Sequence, residues 1–84
     1  MADENLYRLL KEYIAGERSL FEVQDWISSR EQRWASLPRS DSDRRAAGSV
    51  MLAAYELDAG DRDEQSVVEI ARQALKELEG AQRV

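Results

Sequence analysis

The chain has 84 residues and a net charge of −5, from 17 acidic and 12 basic side chains. A chain of this length builds only one hydrophobic core, so we expect a single domain over residues 1–84. It has no cysteine and no histidine, which excludes disulfides and thiolate metal sites and removes the commonest general base and metal ligand. The acidic balance opposes binding to the phosphates of nucleic acids.

The first stretch of the chain, MADENLYRLLKEY, lacks a basic region followed by a continuous apolar segment, so it does not read as a secretion signal. No run of about 18 apolar residues occurs anywhere, which argues against a transmembrane helix. We therefore expect a cytoplasmic protein with no membrane partner.

A first helix is predicted over about residues 4–15. Its apolar residues recur at spacings of three and four, which is typical of a helix with one buried face. Asp3 is the expected N-cap, and Gly16 is expected to end the helix in a left-handed conformation. The predicted buried face consists of Leu6, Leu9, Leu10, Tyr13 and Ile14.

A second helix is predicted over residues 20–34. Ser19 and Glu22 have the spacing of a capping box, in which each side chain bonds the other residue's backbone N–H. Trp26 falls on the apolar face and is expected in the core. Trp34 stands in the last turn before a proline, so it is either a lid on the core, which we prefer, or a partly exposed contact residue.

The third and fourth helices are predicted over residues 42–59 and 62–79. The loop before them, residues 35–42, holds the only proline and three serines. Ser40 or Asp41 is expected to cap the third helix, and Gly60 to end it. The expected apolar faces of the two helices contain Ala46, Ala47, Val50, Met51, Ala54, Tyr55 and Leu57, and then Val67, Val68, Ile70, Ala71, Ala74, Leu75 and Leu78.

The turn after Gly60 suggests a second capping box, formed by Asp61 and Glu64. Both predicted turns thus pair a glycine with a capping residue, which is common turn chemistry and does not by itself indicate an internal repeat. The predicted fold class is all-α, a small bundle of four helices arranged as two helical hairpins.

No catalytic, metal or cofactor site is predicted. Asp41, Ser42 and Asp43 begin like a calcium loop, but the sixth and twelfth positions are Ala46 and Leu52 instead of glycine and glutamate. The acids around Gly60 are explained by helix capping. A serine nucleophile would have no histidine as its base. We therefore expect that the protein is not an enzyme.

A basic segment lies between residues 28 and 48. It holds five arginines and three acids, which gives a local charge of +2. Since the whole chain has a net charge of −5, the residues outside this segment sum to −7. Arginine beside tryptophan is enriched at protein interfaces, although arginines at a helix C-terminus also stabilise its dipole. The predicted partner-binding residues are Arg30, Arg33, Trp34, Arg39, Arg44 and Arg45.

The run YIAGERSLFEVQDW, from Tyr13 to Trp26, resembles a pattern in small uncharacterised bacterial or phage all-helical proteins. In that pattern a helix ends in Gly-Glu, Ser-Leu follows, and Asp-Trp or Glu-Trp comes six residues after the serine. The similarity covers roughly residues 6–27. It implies a helical fold and a bacterial or phage origin, and it carries no function to transfer.

Two kinds of function are compatible with these features. The first is a small acidic interaction module that occupies a partner's surface, as inhibitor, immunity-type or antitoxin-type proteins do, because a negative field steers association with a basic protein. The alternative is a self-associating structural or regulatory subunit, in which a homodimer buries the apolar band of the third helix.

Overall fold

The computed structural model describes residues 5–82, and side chains up to residue 80. These residues form five α-helices and no strand, so the all-α prediction is confirmed for them and the count of four helices is wrong. The helices are α1 (Leu6–Ile14), α2 (Leu20–Ser28), α3 (Glu31–Ser36), α4 (Ser42–Asp58) and α5 (Glu64–Gln82).

The first helix begins at a side-chain cap. Asn5 precedes α1, and its side-chain oxygen accepts a hydrogen bond from the backbone N–H of Arg8 at 2.8 Å. This bond satisfies one of the N–H groups that a helix start leaves without an intrahelical acceptor. Asp3, the cap expected from the sequence, lies outside the described residues.

The turn between α1 and α2 combines a left-handed glycine with an ion pair. Gly16 has a φ of 84°, a conformation that costs glycine little. The next residue, Glu17, donates its backbone N–H to the carbonyl oxygen of Glu12 at 2.8 Å. Arg18 Nε then donates to the carboxylate of Glu12, also at 2.8 Å. Ser19 forms the predicted capping box that starts α2.

The turn between α4 and α5 is built in the same way. Gly60 has a φ of 82°, and the backbone N–H of Asp61 donates to the carbonyl oxygen of Glu56 at 2.8 Å. Arg62 Nε donates to the Glu56 carboxylate at 2.9 Å. The cap is Asp63, whose side chain accepts from the backbone N–H of Ser66 at 2.8 Å.

The predicted capping box of Asp61 and Glu64 is therefore wrong. Asp61 belongs to the turn, because its backbone N–H donates to the carbonyl oxygen of Glu56 at the end of α4. Two residues separate the left-handed glycine from the cap in this turn, as in the first one. At the start of α4 the structure selects Asp41, which accepts from two backbone N–H groups, over Ser40.

The predicted helix over residues 20–34 is divided into α2 and α3. At the division, Ser29 Oγ and Arg30 Nη1 both donate to the carbonyl oxygen of Trp26, at 2.9 and 3.0 Å. In an uninterrupted α-helix that carbonyl accepts the backbone N–H four residues later. Side chains compete for it here, and the helix ends.

Trp34 binds the next carbonyl along α2, that of Ile27. Its indole Nε1 donates to the backbone oxygen of Ile27 at 2.9 Å, and the tryptophan is buried with 8% of its surface exposed. Its ring lies 5.9 Å from that of Trp26, at 46°. The lid interpretation of Trp34 therefore agrees with the structure, and the exposed-contact alternative does not.

The core joins all five helices. The most extensive contact between two helices is that of α4 with α5. Helix α1 also packs on α5, and α2 and α3 pack on α4. Small side chains let α4 and α5 approach closely. Tyr7 also donates its hydroxyl to Glu79 at 2.9 Å, which joins α1 to the last turns of α5. The fully buried alanines are Ala46, Ala47, Ala53, Ala54, Ala71 and Ala74.

No charged side chain is buried among the described residues. Two buried polar atoms, the Tyr13 hydroxyl and Trp26 Nε1, have no hydrogen-bond partner in that part of the chain. Three large apolar side chains are instead exposed: Phe21 at 75%, Leu52 at 60% and Tyr55 at 59%. No helix over residues 5–82 is both long and apolar enough to cross a membrane.

Candidate functional site

The arginines of the basic segment do not form one cluster. Arg30 turns towards α2, where its guanidinium carbon lies 4.1 Å from the centroid of the Trp26 ring. Arg33 covers the other tryptophan, at 5.2 Å from the Trp34 ring centroid. Each cation thus lies over an aromatic face, an arrangement worth about 0.5–1 kcal/mol at an exposed site.

The remaining three arginines lie on the loop before α4 and on its first turn. Arg39 is exposed in the loop. Arg44 donates from Nη1 to the carbonyl oxygen of Leu37 at 2.6 Å, which fastens the loop to α4. Arg45 points to α5, where its Nη2 is 4.0 Å from Glu77, and 60% of its side chain is exposed.

A groove of about 300 Å³ runs between α2–α3 on one side and α4 on the other. Two of the predicted site residues, Trp34 and Arg44, line it. We call it the α4 groove. Its lining consists of Ile27, Ser28, Glu31, Trp34, Arg44, Ala47, Gly48, Met51 and Tyr55.

Gly48 lines the α4 groove and leaves open space in it. It lies within α4, where glycine costs about 1 kcal/mol relative to alanine, and its φ is not left-handed. A Cβ placed on Gly48 would meet no atom within 4 Å. Neither the backbone conformation nor packing inside this chain therefore requires glycine at this position.

The α4 side of the groove carries exposed apolar side chains. Tyr55 lines it with more than half of its surface exposed, and Leu52 lies beside it on the same side of α4. Gly48, Leu52 and Tyr55 follow one another at spacings of four and three, so they form one stripe along the helix. An apolar stripe next to a groove is typical of protein contact surfaces.

The sequence predicts Met51 and Tyr55 on the apolar band of the third helix, which a homodimer would bury in the alternative function. In the structure Met51 packs partly buried against the core, and Tyr55 is exposed. The sequence signal for the groove is Gly48, a glycine inside a predicted helix where no turn is expected. The exposure of Leu52 depends on which face α5 covers, and periodicity alone does not give that.

The perturbed acids lie at the first turn, away from the α4 groove. The Arg18 guanidinium, which donates to Glu12, lowers the pKa of that carboxyl below its ordinary value of 4.5. The backbone N–H of Ser19 lowers the pKa of the Glu22 carboxyl in the same way. Burial, followed by the charge of Glu64, raises the pKa of the Tyr13 hydroxyl above 10.0. These shifts accompany capping and packing.

Over the described residues, no group of three or more histidine, cysteine or acidic side chains is placed to hold a metal ion. Comparison with protein-family models, with curated proteins and with solved structures found no match. The resemblance of the first turn to small bacterial or phage helical proteins therefore stays a prediction, and the function is argued from the molecule alone.

Proposed function

We propose that the protein is a small interaction module that binds another protein chain through the α4 groove. The observation that carries this proposal is the groove itself, where an unfilled space beside Gly48 lies next to the exposed side chains of Leu52 and Tyr55. Binding a helix or an apolar side chain there would remove this surface from water, at about 25 cal/mol per Å² of apolar area.

The composition of the groove supports a protein ligand more than a small polar one. Tyr55 and Met51 supply apolar area, and Arg44 and Glu31 place one charge of each sign at the rim. Protein-binding sites commonly combine an apolar centre with a polar rim. Arg33 lies over the ring of Trp34, which lines the groove, and would contribute orientation, because rim charges act mainly on association rate and partner choice.

The inhibitor, immunity-type and antitoxin-type proteins belong to this functional class, as does a self-associating subunit. The net charge of −5 favours encounter with a basic protein in the first case. The exposed stripe on α4 favours the second. Both uses require the same groove, which makes the groove the first thing to test.

Site-specific photocross-linking in the cells that naturally express the protein tests this proposal. A photoreactive amino acid at Ser28 lies on the groove rim, whereas the same amino acid at Gln65 lies on the exposed side of α5. We expect a discrete adduct from Ser28 and none of the same mass from Gln65. Mass spectrometry of the adduct identifies the captured chain.

Two substitutions at Gly48 provide matched controls in the same background. Gly48→Leu fills the groove and should abolish the Ser28 adduct, while Gly48→Ala leaves most of the space open and should retain it. An adduct that persists in Gly48→Leu, an identical adduct from Gln65, or no adduct from Ser28 would each contradict a docking role for the groove.

A further inference from the structure

We infer that the α4 groove is occupied by α4 of a second copy of this chain, packed antiparallel in a two-fold symmetric dimer. This inference rests on the proposed function, since it names the partner of the same groove. Its basis is the way shape and charge are arranged along α4, so that one helix complements itself when it is reversed.

The shape complementarity is centred between Met51 and Leu52. Gly48 and Tyr55 lie at nearly equal distances on either side of that point, one leaving a space and the other presenting an exposed ring. In an antiparallel pair about this centre, Tyr55 of each copy lies opposite Gly48 of the other. Each ring then fills the space that glycine leaves in the facing groove, while Met51 and Leu52 pack near the two-fold axis.

The charge arrangement follows the same reversal. Arg44, in the first turn of α4, lines the groove. Asp58 is the last residue of α4 and follows Tyr55 at a spacing of three, which places it on the same side of the helix. An antiparallel partner brings Arg44 of one copy next to Asp58 of the other, at both ends of the interface. Arg44 uses Nη1 for the Leu37 carbonyl, so its remaining N–H groups can donate to a carboxylate.

A parallel pair would place Arg44 beside Arg44 and Tyr55 beside Tyr55, so both complementarities would be lost. Binding to an unrelated partner would not require Gly48 and Tyr55, or the charges at the two ends of α4, to be arranged symmetrically about one point of that helix. A two-fold interface does require it, because every contact there occurs twice with the roles of the copies exchanged. This symmetry is what selects a second copy.

The first test is the oligomeric state of the purified chain. Sedimentation equilibrium over a wide concentration range should show a monomer–dimer equilibrium for the natural sequence. We expect Gly48→Leu to weaken the dimer about tenfold or more, because it occupies the space that Tyr55 enters. Gln73→Leu adds the same side chain to an exposed position of α5 and should leave the equilibrium unchanged.

Folding of the variants is monitored independently by circular dichroism melting. Gly48 has an ordinary helical conformation, so at concentrations where both proteins are monomeric Gly48→Leu should melt no lower than the natural chain. A natural chain that is monomeric at every concentration overturns the inference. A Gly48→Leu variant that dimerises as tightly as the natural chain also overturns it.

Cysteine trapping tests the antiparallel register. The chain has no native cysteine, so a single introduced thiol gives an unambiguous disulfide. Leu52→Cys lies near the two-fold axis and should form a covalent dimer under mild oxidation. Arg45→Cys should not, because the antiparallel register separates the two copies of position 45 by about 13 residues of helix, roughly 20 Å.

Efficient trapping through Arg45→Cys, or none through Leu52→Cys, would overturn the register. The charges provide a rescue experiment. Arg44→Asp should weaken the dimer, and adding Asp58→Arg to it should restore much of the affinity, although both variants lack the bond to Leu37. Failure of the rescue would contradict the Arg44–Asp58 pairing.

The two proposals fail in distinguishable ways. If the purified chain is monomeric but Ser28 cross-links a different protein in cells, the inference of a dimer is wrong and the docking role of the groove stands. If Ser28 captures nothing and the chain is monomeric, both are wrong.

Discussion

The hairpin of α1 and α2 and the hairpin of α4 and α5 make the same turn at a constant offset. Glu12, Gly16 and Arg18 of the first correspond to Glu56, Gly60 and Arg62 of the second, each 44 positions later. The glycine φ values are 84° and 82°, and the backbone bond that closes each helix end is 2.8 Å in both turns. The buried positions Val23 and Val67 also correspond.

The two hairpins differ after the turn. Helix α5 continues without interruption, whereas its counterpart divides into α2 and α3. At the division, the side chains of Ser29 and Arg30 donate hydrogen bonds to the backbone carbonyl of Trp26. Their counterparts in α5 are Gln73 and Ala74. The two turns share the left-handed glycine and the ion pair but differ in their caps, Ser19 with Glu22 in the first and Asp63 in the second. Side-chain competition for carbonyls then decides how far the second helix runs.

The division of the first hairpin also creates the α4 groove. Helix α3 packs on α4, and its Trp34 is buried against Trp26 and Ile27 of α2. The uninterrupted α5 packs along α4. The divided helix is thus the one that lines the surface that we propose for binding.

The largest effect is expected from Trp34→Ala. Because the ring is buried and its indole N–H holds the Ile27 carbonyl, we expect a loss of about 3–5 kcal/mol in the free energy of unfolding, measured by urea titration. Trp34→Phe keeps most of the apolar packing and should cost clearly less. A cost below about 1 kcal/mol for Trp34→Ala would show that α3 is not anchored by this residue.

The next effect concerns the two left-handed glycines. Gly16→Ala and Gly60→Ala should each destabilise by about 1–2 kcal/mol, because alanine at a φ near 80° is strained. A Cβ at either position meets no atom within 4 Å, so the strain is in the backbone alone. Costs that differ by more than about 1 kcal/mol would contradict the equivalence of the two turns.

The caps should follow with somewhat smaller effects. Ser19→Ala and Asp63→Ala each remove a side-chain acceptor for a backbone N–H at a helix start, which costs about 0.5–2 kcal/mol. Ser49→Ala, at an exposed position inside α4, is the control and should change little. Thermal unfolding of the three variants compares them directly, and a Ser49→Ala effect as large as the others would remove the assignment of caps.

The smallest effect is a pH dependence of the free energy of unfolding, which arises from carboxylates at the turn between α1 and α2. The lowered pKa of Glu12 and of Glu22 means that the stabilisation from these carboxylates is fully present above about pH 4.5 and is lost as the pH falls through their folded-state pKa values. Glu22→Gln removes one titrating group. Its unfolding free energy should therefore fall less steeply than that of the natural chain during acidification, as followed by circular dichroism. Parallel curves for the two proteins would contradict this assignment.

The sequence predicts the turns better than the lengths of the helices. Gly16, Ser19 and Glu22 act locally, through bonds within a few residues, so the spacing predicts them. Asp63 was missed because Asp61 and Glu64 also have the spacing of a capping box. Comparing the second turn with the first would have resolved the choice, since Asp63 corresponds to Ser19 at the offset of 44 positions.

The division at Ser29 and the exposure of the α4 stripe were not predictable in this way. No glycine or proline marks the division, and serine and arginine side chains compete for a carbonyl only when local geometry allows it. The exposure of Tyr55 depends on tertiary packing, because α5 covers one face of α4 and leaves another open. Of the six predicted site residues, Trp34 and Arg44 line the groove, and the roles of all six remain to be tested.

The bond between Tyr7 and Glu79 has a consequence for how the chain is made. Helix α1 packs more extensively on α5 than on α2, so α1 leaves the ribosome well before its main partner does. Until α5 has been synthesised, the leucines of α1 remain accessible to solvent and to chaperones. The native core is therefore completed only after α5 has been translated, and a ribosome stalled before α5 would display a chain that proteases cleave readily.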